Sequence, residues 1–459
     1  MRLTTGPLVV GVLTASAIVA QQNQFQGSVP TGVPSSRPLA LTLREAIDRG
    51  LKANLGLLVS DSANETARGE RLRSLSVLSP QLNAKADETV QQISLKTVGL
   101  NFQFPGVSVP TVVGPFHYTD VRGYASWTAF DYNARKNYSA SRESKRAAQL
   151  SVLDARDLVV QATANVYLQI IADASRVEAI RSQVETSQAL YDRAVDQQNA
   201  GTAAGIDVLR SQVELKQQQQ RLLSQRNQFE KDKLTLGRVI GLPPGQDFRP
   251  SDTAPFAPLT AMTQDQALQT AIQQRPDFQS YKARVRAAEE AVKAAHGERY
   301  PTADVTADYG DVGPTLGSSH GTFSFVASAK ISVFDGGRIA GDVIQAKAAL
   351  KQRQDELADL GGQIEYQVRS AFLDIGSAAD QVAVARDNLD LANQTLVQAR
   401  DRFSAGVTDN IEVVQAQESV AAANDTLISA LFAHNVAKVG LARALGGAEQ
   451  GIQQLLEVK

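Results

Sequence analysis

The sequence contains no cysteine among its 459 residues. This absence excludes disulfide bonds, and it excludes a cysteine to which a lipid anchor could be attached. Neither sign of charge predominates, because the formal net charge is only -2. So balanced a chain is not built to grip nucleic acid or a uniformly anionic surface, and we expect no nucleic-acid partner. Aromatic residues are sparse and Ala, Gln, Val and Leu dominate, which is typical of long packed helices.

Long hydrophobic runs are scarce as well. The clearest one extends from about Leu8 to Val19 and follows a single arginine near the start of the chain. Its length and the small residues at its end predict a secretory signal peptide over residues 1–20, cleaved after Ala17 or Ala20, with an uncleaved anchor as the alternative. No later segment reaches the ~18 apolar residues that a transmembrane helix needs. A membrane-embedded part would therefore have to consist of strands.

Patterns that carry chemistry are absent too. The four histidines, His117, His296, His320 and His434, are scattered and none has a metal-ligand spacing with another histidine or an acid. There is no nucleophile-elbow pattern and no phosphate-binding loop, and the glycines of "FDGGRIAG" lack the dinucleotide-binding order. We therefore predict that the protein is not an enzyme and uses neither a metal nor a cofactor.

What the chain does contain is an internal repeat. The stretch "QNAGTAAGIDVLRSQ" from Gln198 is matched by "RFSAGVTDNIEVVQAQ" from Arg402, each with a small residue and a glycine followed by an isoleucine and an acid. The stretch "EAIDRGLKAN" from Glu45 is matched in the same way by "QALQTAIQQR" from Gln266. Landmarks that keep a near-constant offset indicate duplication rather than chance similarity between alanine-rich helices.

Each copy is predicted to contain a helix, two strands, a long helix, a tight tip and a further helix. The first helix of each copy is expected to run unbroken, over about 42–78 and 263–298. The Pro-rich connector between the copies is expected to lie outside the helical packing. The predicted division is a signal peptide (1–20), an extended N-terminal arm (21–40), a first repeat (41–241), the connector (242–262), a second repeat (263–446) and a C-terminal tail (447–459).

The long helix of the second copy carries a heptad pattern. Large residues recur every seven positions, and alanines recur in the complementary phase, which predicts a coiled-coil seam. A helix of about 66 residues spans on the order of 100 Å, and the two shorter helices of each copy together match that length. A rod of uniform length is therefore expected. The predicted seam residues are Val368, Ile375, Val382, Leu389, Leu396 and Phe403.

Alternation marks the strands. In "TFSFVASAKISVF" from Thr322 and "TADVTADY" from Thr302, apolar side chains share one face and polar side chains the other. Such segments are typical of membrane β-barrel strands, although an ordinary half-buried hairpin fits them equally well. Four strands cannot close a barrel, so three chains would have to pool about twelve. The predicted lipid-facing residues are Phe323, Phe325, Ile331 and Val333.

These features together resemble a known family. "LTLREAIDRGLKAN" at 41–54, "FDGGR" at 334–338, the paired tips and the terminal "RALGG" occur in the order found in TolC-type outer-membrane efflux proteins, the outer membrane factors. The resemblance implies a mainly α fold with membrane β-strands, built as a homotrimer whose α-barrel is continuous with a 12-stranded β-barrel. It also implies a place in the outer membrane of a Gram-negative-type bacterium, with the helices extending into the periplasm.

The implied function is that of a passive export duct in a tripartite efflux system. The implied partners are a periplasmic adaptor (membrane fusion) protein, an inner-membrane pump and outer-membrane lipid. Two alternatives stay open from the sequence. One is the outer-membrane component of a type I protein secretion system, and the other is a periplasmic coiled-coil scaffold without a pore.

The resemblance concentrates function at the tips. It places the acids Asp207 and Glu412 at the periplasmic entrance, where an acidic ring would favour cations. The alternative is that each acid only stabilises the first turn of its helix. Some relatives carry Arg and Tyr where this chain has Thr408 and Phe403, and Gln415 replaces a second acid, so the closed-state network is expected to be either different or weaker. The predicted adaptor-docking residues are Gly201, Thr202, Gly205, Gly406, Val407 and Thr408.

Overall fold

The computed structural model describes a defined part of the chain, and the predicted signal peptide lies outside the described residues. The chain divides into two compact units. The helical unit contains the described residues of 1–64, 148–280 and 357–459, and the sheet unit contains those of 65–147 and 281–356. The described residues are 25, 27–97, 99, 110–202, 204–253, 256–259, 262–405, 407–408 and 410–455.

The first half of the chain begins and ends with a short strand. Between these strands lie two short helices, a hairpin, a long helix and a further helix. Its elements are β1 (Leu39–Leu41), α1 (Leu43–Ala53), α2 (Leu55–Ser76), β2 (Gln81–Ser94), β3 (Val112–Phe130), α3 (Tyr132–Asn199), α4 (Gly205–Val239) and β4 (Phe248–Pro250).

The second half has the same order of helices and strands. Its elements are α5 (Gln264–Gln274), α6 (Pro276–Gly297), β5 (Thr302–Gly313), β6 (His320–Lys330), α7 (Arg338–Ser404), α8 (Asn410–Leu445) and α9 (Ala448–Leu455). Helices α1 and α5 are both 11 residues long, and α2 and α6 are both 22 residues long. The coarse prediction of a mainly helical chain with some strands is confirmed.

A capping box fixes the start of each half. The Thr42 hydroxyl accepts a hydrogen bond from the Glu45 amide at 3.2 Å, and the Glu45 carboxylate accepts one from the Thr42 amide at 3.0 Å. Thr263 and Gln266 repeat both bonds, at 3.3 and 3.2 Å. Two otherwise unpaired amides are satisfied in each box, so α1 and α5 begin at equivalent positions.

The prediction of one unbroken first helix in each copy is wrong. The break in the second copy falls at Arg275, whose backbone is not helical, with φ -59° and ψ 120°. The ring of Pro276 clashes with a helical conformation of the residue before it, so α5 ends and α6 begins with the proline.

The first copy reaches the same break without a proline. Asn54 has an extended backbone, its side-chain amide donates to the Phe25 carbonyl at 2.7 Å, and its side-chain oxygen accepts from the Gly56 amide at 2.9 Å. The asparagine thus ends α1 and caps α2 in one place.

The sheet unit contains a four-stranded antiparallel sheet in the order β2-β3-β5-β6. The hairpin of the first half therefore pairs with the hairpin of the second half through β3 and β5. One face presents exposed apolar side chains along all four strands. They are Leu82, Val121, Tyr309, Phe323 and Phe325.

The opposite face is polar and is tied together by Arg122. Its guanidinium donates to Asp308 on β5, to Thr322 on β6 at 2.7 Å and to Asp120 on its own strand at 3.3 Å. Gly310 lies directly opposite Arg122, and a Cβ there would come within 2.7 Å of the arginine's Cβ. The missing side chain is therefore what lets Arg122 cross β5.

Two predicted lipid-facing strand residues lie outside the strand. Ile331 and Val333 follow the last residue of β6, Lys330, which pairs with Thr302. Pro301 precedes Thr302 and has no amide to donate, so the pairing stops there. Both side chains are exposed.

The core of the helical unit includes segments that were expected to lie outside it. Strand β1 of the arm pairs in parallel with β4 of the connector. Phe248 and Leu242 of the connector are buried in the same apolar cluster as Leu41 and Tyr167. The expectation that the connector lies outside the helical packing is therefore wrong, because its apolar side chains complete the core of the first half.

Tyr167 lies at the centre of this core. Its hydroxyl is within hydrogen-bonding distance of the Leu41 carbonyl, at 2.7 Å, and of an Asp252 carboxylate oxygen, at 2.9 Å. The same carboxylate oxygen accepts from the Leu43 amide at 2.7 Å. Burial, with Asp252 beside it, raises the pKa of the Tyr167 hydroxyl, so this hydroxyl stays protonated and can donate.

The predicted C-terminal tail contains a packed helix. Both carboxylate oxygens of Asp157 accept backbone hydrogen bonds, from Gly447 at 3.0 Å and from Ala448 at 2.9 Å, at the start of α9. Ala448 and Ile452 are buried in the core. A carboxylate at a helix N-terminus satisfies unpaired amides and the helix dipole, so Asp157 anchors this helix.

Helices α7 and α8 pack side by side. Ala371 clusters with Leu441, and farther along α7 Ala399 clusters with Val413. Residue numbers that increase along α7 are matched by residue numbers that decrease along α8, so the two helices are antiparallel. Three of the predicted seam residues are buried and three are half-buried: Val368, Ile375 and Val382, followed by Leu389, Leu396 and Phe403.

A buried ion network lies beside the second helix break. Arg275 donates two hydrogen bonds to Asp277, at 3.0 and 2.6 Å, and Arg443 pairs with Asp154 and lies 3.7 Å from Asp277. Burial opposes ionisation of Asp277, but Arg275 and then Arg443 outweigh it and lower its pKa. At Asp154 burial dominates over the attraction of Arg443 and raises the pKa.

We therefore predict that the two carboxylates differ in their contribution to stability. Asp277→Asn should lower the free energy of unfolding by about 3 kcal/mol at neutral pH, because it leaves buried Arg275 without its carboxylate partner, with only the neutral Gln367 among the described side chains still accepting from it. Asp154→Asn should lower it by less than Asp277→Asn does, because burial offsets more of what the Asp154 carboxylate gains from Arg443. Chemical unfolding of the detergent-solubilised chain measures both.

The pH dependence gives an independent check. A lowered pKa means that the Asp277 contribution is complete above the ordinary aspartate value of about 3.9 and is lost as the pH falls through the folded-state value. The difference in the free energy of unfolding between the parent and Asp277→Asn should disappear below about pH 4. A difference of equal size at all pH values would contradict the assignment.

Candidate functional site

The first tip is a tight turn between α3 and α4. The Thr202 amide donates to the Gln197 carbonyl at 2.9 Å, and the Gly201 amide donates to the Gln198 carbonyl at 2.9 Å. Gly201 has φ +74°, a left-handed conformation that suits glycine at the end of a helix. The turn satisfies carbonyls that the end of α3 would otherwise leave unpaired.

The second tip repeats part of this pattern between α7 and α8. The Val407 amide donates to the Arg402 carbonyl at 3.0 Å, which matches the bond from Thr202 to Gln197 in the first tip. Gly406 lies outside the described residues. Val407 is exposed and Thr408 is half-buried. The two tips therefore share the bond that closes the helix end.

The first turns of α4 and α8 lie next to each other. A groove of about 390 Å³ runs between them, and it shares Gln217 and Glu418 with a larger polar cleft of about 950 Å³. The structure thus brings the two predicted tips together at one end of the helical unit. The apolar residues that line the smaller groove are Ile206, Leu209, Val213, Ile411 and Val414.

The two predicted entrance acids have different partners. Asp207 in the first turn of α4 lies 3.5 Å from Arg210 of the same helix, and its side chain is 24% exposed. Glu412 in the first turn of α8 lies 3.2 Å from Arg402 at the end of α7, and its side chain is 44% exposed. Both acids occupy positions where the helix dipole stabilises them. Glu412 additionally joins the two helices of its tip.

Phe403, which stands where some relatives carry a tyrosine, contacts α3 through its ring alone. The Arg193 guanidinium of α3 lies 5.9 Å from the centroid of its ring, and Leu190 of the same helix packs in the same cluster. A cation over an aromatic face is attracted by the ring quadrupole. Phe403 therefore links α7 to α3 near the tips.

Several of these features were not predicted from the sequence. The pairing of Arg402 with Glu412 needs the turn geometry, because ten residues separate the two in the chain. The apolar groove has a signal in hindsight, since Ile206, Leu209 and Val213 follow helical spacing on α4. No helix in the described part of the chain is both long and apolar enough to cross a membrane. Nor do the described side chains include a group of three or more potential ligands arranged for a metal ion.

The comparisons with known proteins agree with this geometry. Residues 267–447 match the family model described as outer membrane efflux protein. A probable efflux pump outer membrane protein TtgC from Pseudomonas putida is 24% identical over 339 residues, covering 68% of this chain and 64% of TtgC. The cation efflux system protein CusC from Escherichia coli is 25% identical over 334 residues, covering 69% of this chain and 68% of CusC.

Solved structures extend the likeness to nearly the whole chain. The Campylobacter jejuni CmeC outer membrane channel superposes with a TM-score of 0.76 at 15% identity, covering 100% of this chain and 98% of CmeC. The open state of the Neisseria gonorrhoeae MtrE outer membrane channel gives 0.75 at 18% identity, covering 91% and 94%. At these identities the likeness shows the fold. The predicted resemblance to TolC-type outer-membrane efflux proteins is confirmed.

The first tip gives a test of its backbone geometry. Gly201→Ala should destabilise the turn by about 1 kcal/mol, because alanine is strained at positive φ while a Cβ at this position meets no atom within 4 Å. Hydrogen exchange of peptides that cover 196–206 should become faster. Gly201→Asn should have a smaller effect, because asparagine tolerates the left-handed conformation.

The matched control is Gly376→Ala in α7. A Cβ at Gly376 also meets nothing within 4 Å, but its backbone is helical. There the substitution should slow exchange, since alanine is the better helix former. If both alanine variants change exchange in the same direction, the left-handed requirement at Gly201 is refuted.

Proposed function

We propose that this chain is one protomer of a trimeric outer-membrane channel that serves as the passive export duct of a tripartite efflux system. The observation that carries the proposal is the four-stranded sheet, which has one exposed apolar face and whose outer strands, β2 and β6, each have one neighbour among the described strands. The near-complete likeness in fold to solved outer membrane channels supports it.

The open edges of the sheet support the proposed trimer. In lipid each backbone amide and carbonyl needs a partner, so an open four-stranded sheet cannot lie in a bilayer. Pairing β6 of one copy with β2 of the next satisfies both edges. Three copies then supply about twelve strands, enough to close a barrel whose apolar face meets lipid and whose polar face lines the interior.

The helices fit a tube in the same assembly. Along the α7–α8 seam, alanines alternate with larger residues and permit close approach of the two backbones. The matching order of elements in the two halves supports their division into two repeats, 41–241 and 263–446. Each repeat would supply equivalent helices to the wall of the tube. Three chains would form an α-barrel continuous with the β-barrel.

The tips are the proposed place of contact with the rest of the system. The apolar groove between the first turns of α4 and α8 is open in the single chain. Adaptor docking at this end, with an inner-membrane pump beyond the adaptor, accounts for such a surface on an exported protein. Relatives of this chain are named as efflux proteins for toluene, antibiotics and cations.

The entrance charge is weaker than an isolated acidic ring would be. Arg402 lies beside Glu412, so each copy contributes an ion pair rather than a bare carboxylate at this position. The pair is largely exposed and water screens it, which leaves part of the field of Glu412 acting on passing ions. We therefore assign the cation preference to the balance between these two side chains.

The assembly gives a prediction about the sheet faces. Phe323→Lys should abolish insertion, because a lysine on the lipid side costs about 2–4 kcal/mol near the bilayer midplane. Native mass spectrometry of the detergent-extracted full chain should show three copies for the parent and loss of that species for the variant.

The control is the neighbouring residue on the opposite face. Ser324→Lys should insert and assemble like the parent, because its side chain would face the water-filled interior. A chain that urea releases from membranes without detergent, in one copy, would rule out the channel.

The entrance gives a second prediction. A unit charge several Å from a passing ion in water contributes on the order of 0.5–1 kcal/mol, which corresponds to about a two- to fivefold change in permeability ratio. In planar bilayers Glu412→Gln should lower the cation-to-anion ratio by this factor, and Arg402→Gln should raise it.

The control variant is Glu65→Gln, which removes an exposed acid of α2 that pairs with Arg68. It should leave the permeability ratio unchanged. If the two tip variants shift the ratio in the same direction, the charge balance at the second tip does not set selectivity, and the channel assignment is unaffected.

A further inference from the structure

Residues 256–259 of the connector pack on the antiparallel pair α7 and α8, and we call them the strap. Phe256 joins the apolar cluster that contains Val382, and Leu259 joins the one that contains Leu441. The strap thus fastens a segment of irregular backbone to the helix pair through two side chains. Ala257 between them is buried as well.

His434 of α8 is enclosed at the strap. Its side chain is 0% exposed, and its ring centroid lies 5.0 Å from that of Phe256. Neither ring nitrogen has a hydrogen-bond partner among the described residues. A buried polar group without a partner costs free energy, and a buried charge costs considerably more. The site therefore accepts the neutral imidazole far better than the imidazolium.

Two cations lie near the imidazole and the Phe256 ring that covers it. Lys438, buried on the same helix, acts on it directly, and Arg386 of α7 lies 4.4 Å from the centroid of the Phe256 ring. The neighbouring cluster residues of α7, Val382 and Ala385, are apolar, as is Phe256 of the strap. Burial, and then the charge of Lys438, lower the pKa of His434.

We propose that His434 and the strap form a pH-sensitive latch. While the imidazole is neutral, Phe256 packs over it and the strap holds α7 and α8 together. When His434 binds a proton, the imidazolium needs water, and the strap leaves its place so that the ring becomes hydrated. The latch operates within a single chain and does not depend on the channel function.

The direction of the pH effect follows from linkage. A histidine whose folded-state pKa is lowered stabilises the closed strap fully above the ordinary value of about 6.5, and this stabilisation is lost as the pH falls toward the folded-state value. Across that window the equilibrium constant for opening rises by up to about tenfold per pH unit.

The latch acts on the helix pair that carries the second tip. The α7–α8 contacts continue from the strap to Ala399 and Val413, next to Phe403 and Glu412. Release of the strap removes one of the attachments that hold this pair in register. Acidification is therefore expected to loosen α7 and α8 first around Ala430, where the cluster includes Phe256.

The absence of cysteine makes the strap directly testable. A single cysteine introduced as Ala257→Cys in the full detergent-solubilised chain reports exposure of the strap through its rate of labelling with N-ethylmaleimide. A second chain with Val33→Cys, at a side chain that is 88% exposed, corrects for the intrinsic pH dependence of the thiol. The ratio of the two rates should rise at least about fivefold between about pH 7.5 and about pH 5.

The decisive comparison removes the titrating group. In the Ala257→Cys chain, His434→Gln should make the ratio independent of pH, and His320→Gln, at an exposed histidine, should leave the pH dependence intact. If His434→Gln does not fold, His434→Leu fills the site without a polar atom and should give the same flat profile. A ratio that stays constant in the parent chain, or that rises equally without His434, overturns the latch.

Discussion

The outer edges of β2 and β6 constrain the rest of the structure. Within the part of the chain that the structure describes, each of these strands has one neighbour in the sheet, so each presents a row of amides and carbonyls that no other described strand pairs with. A soluble protein would cover such an edge or shorten it, but these strands are 14 and 11 residues long. The proposed pairing of neighbouring copies would complete the sheet, with its apolar face outward and its polar face inward.

The helices are subject to a different constraint. They pack closely although their buried apolar side chains form several clusters instead of one large core. Alanines on α7 lie against α8, and the connector and arm supply the side chains that two helices alone cannot provide. Tyr167 and Asp252 fix this arrangement through the Leu41 carbonyl and the Leu43 amide. The buried charges around Asp277 do the same beside the second break. The helical unit is thus held by small residues and by hydrogen bonds and ion pairs between buried polar groups.

Much of the fold could be predicted from periodicity. The heptads of α7 and the alternation of β5 and β6 are local patterns, and the family resemblance follows from their order. The two helix breaks were missed although one has a visible cause, the proline after Arg275. The break at Asn54 could not be found in the same way, because it depends on the distant carbonyl of Phe25.

The site was harder to predict than the fold. The acids Asp207 and Glu412 were located at the helix starts from sequence alone, but their partners were not, because Arg402 reaches Glu412 only across a folded turn. The capping boxes at Thr42 and Thr263 had a clear local signal in threonine followed three residues later by Glu or Gln. The strap was expected to lie outside the packing, since proline-rich composition describes backbone stiffness and does not reveal which side chains become buried.

The missing side chain at position 310 has a further consequence for how this sheet can change. A Cβ at position 310 would come within 2.5 Å of the Val121 carbonyl oxygen and 2.7 Å of Arg122 Cβ, so a larger residue there would shift the strand pairing from which Arg122 reaches Asp308 and Thr322. Substitutions at positions 122 and 310 are therefore not independent of each other. Descendants of this sequence should lose or keep the arginine and the glycine as a pair, with the order of replacement starting at Arg122.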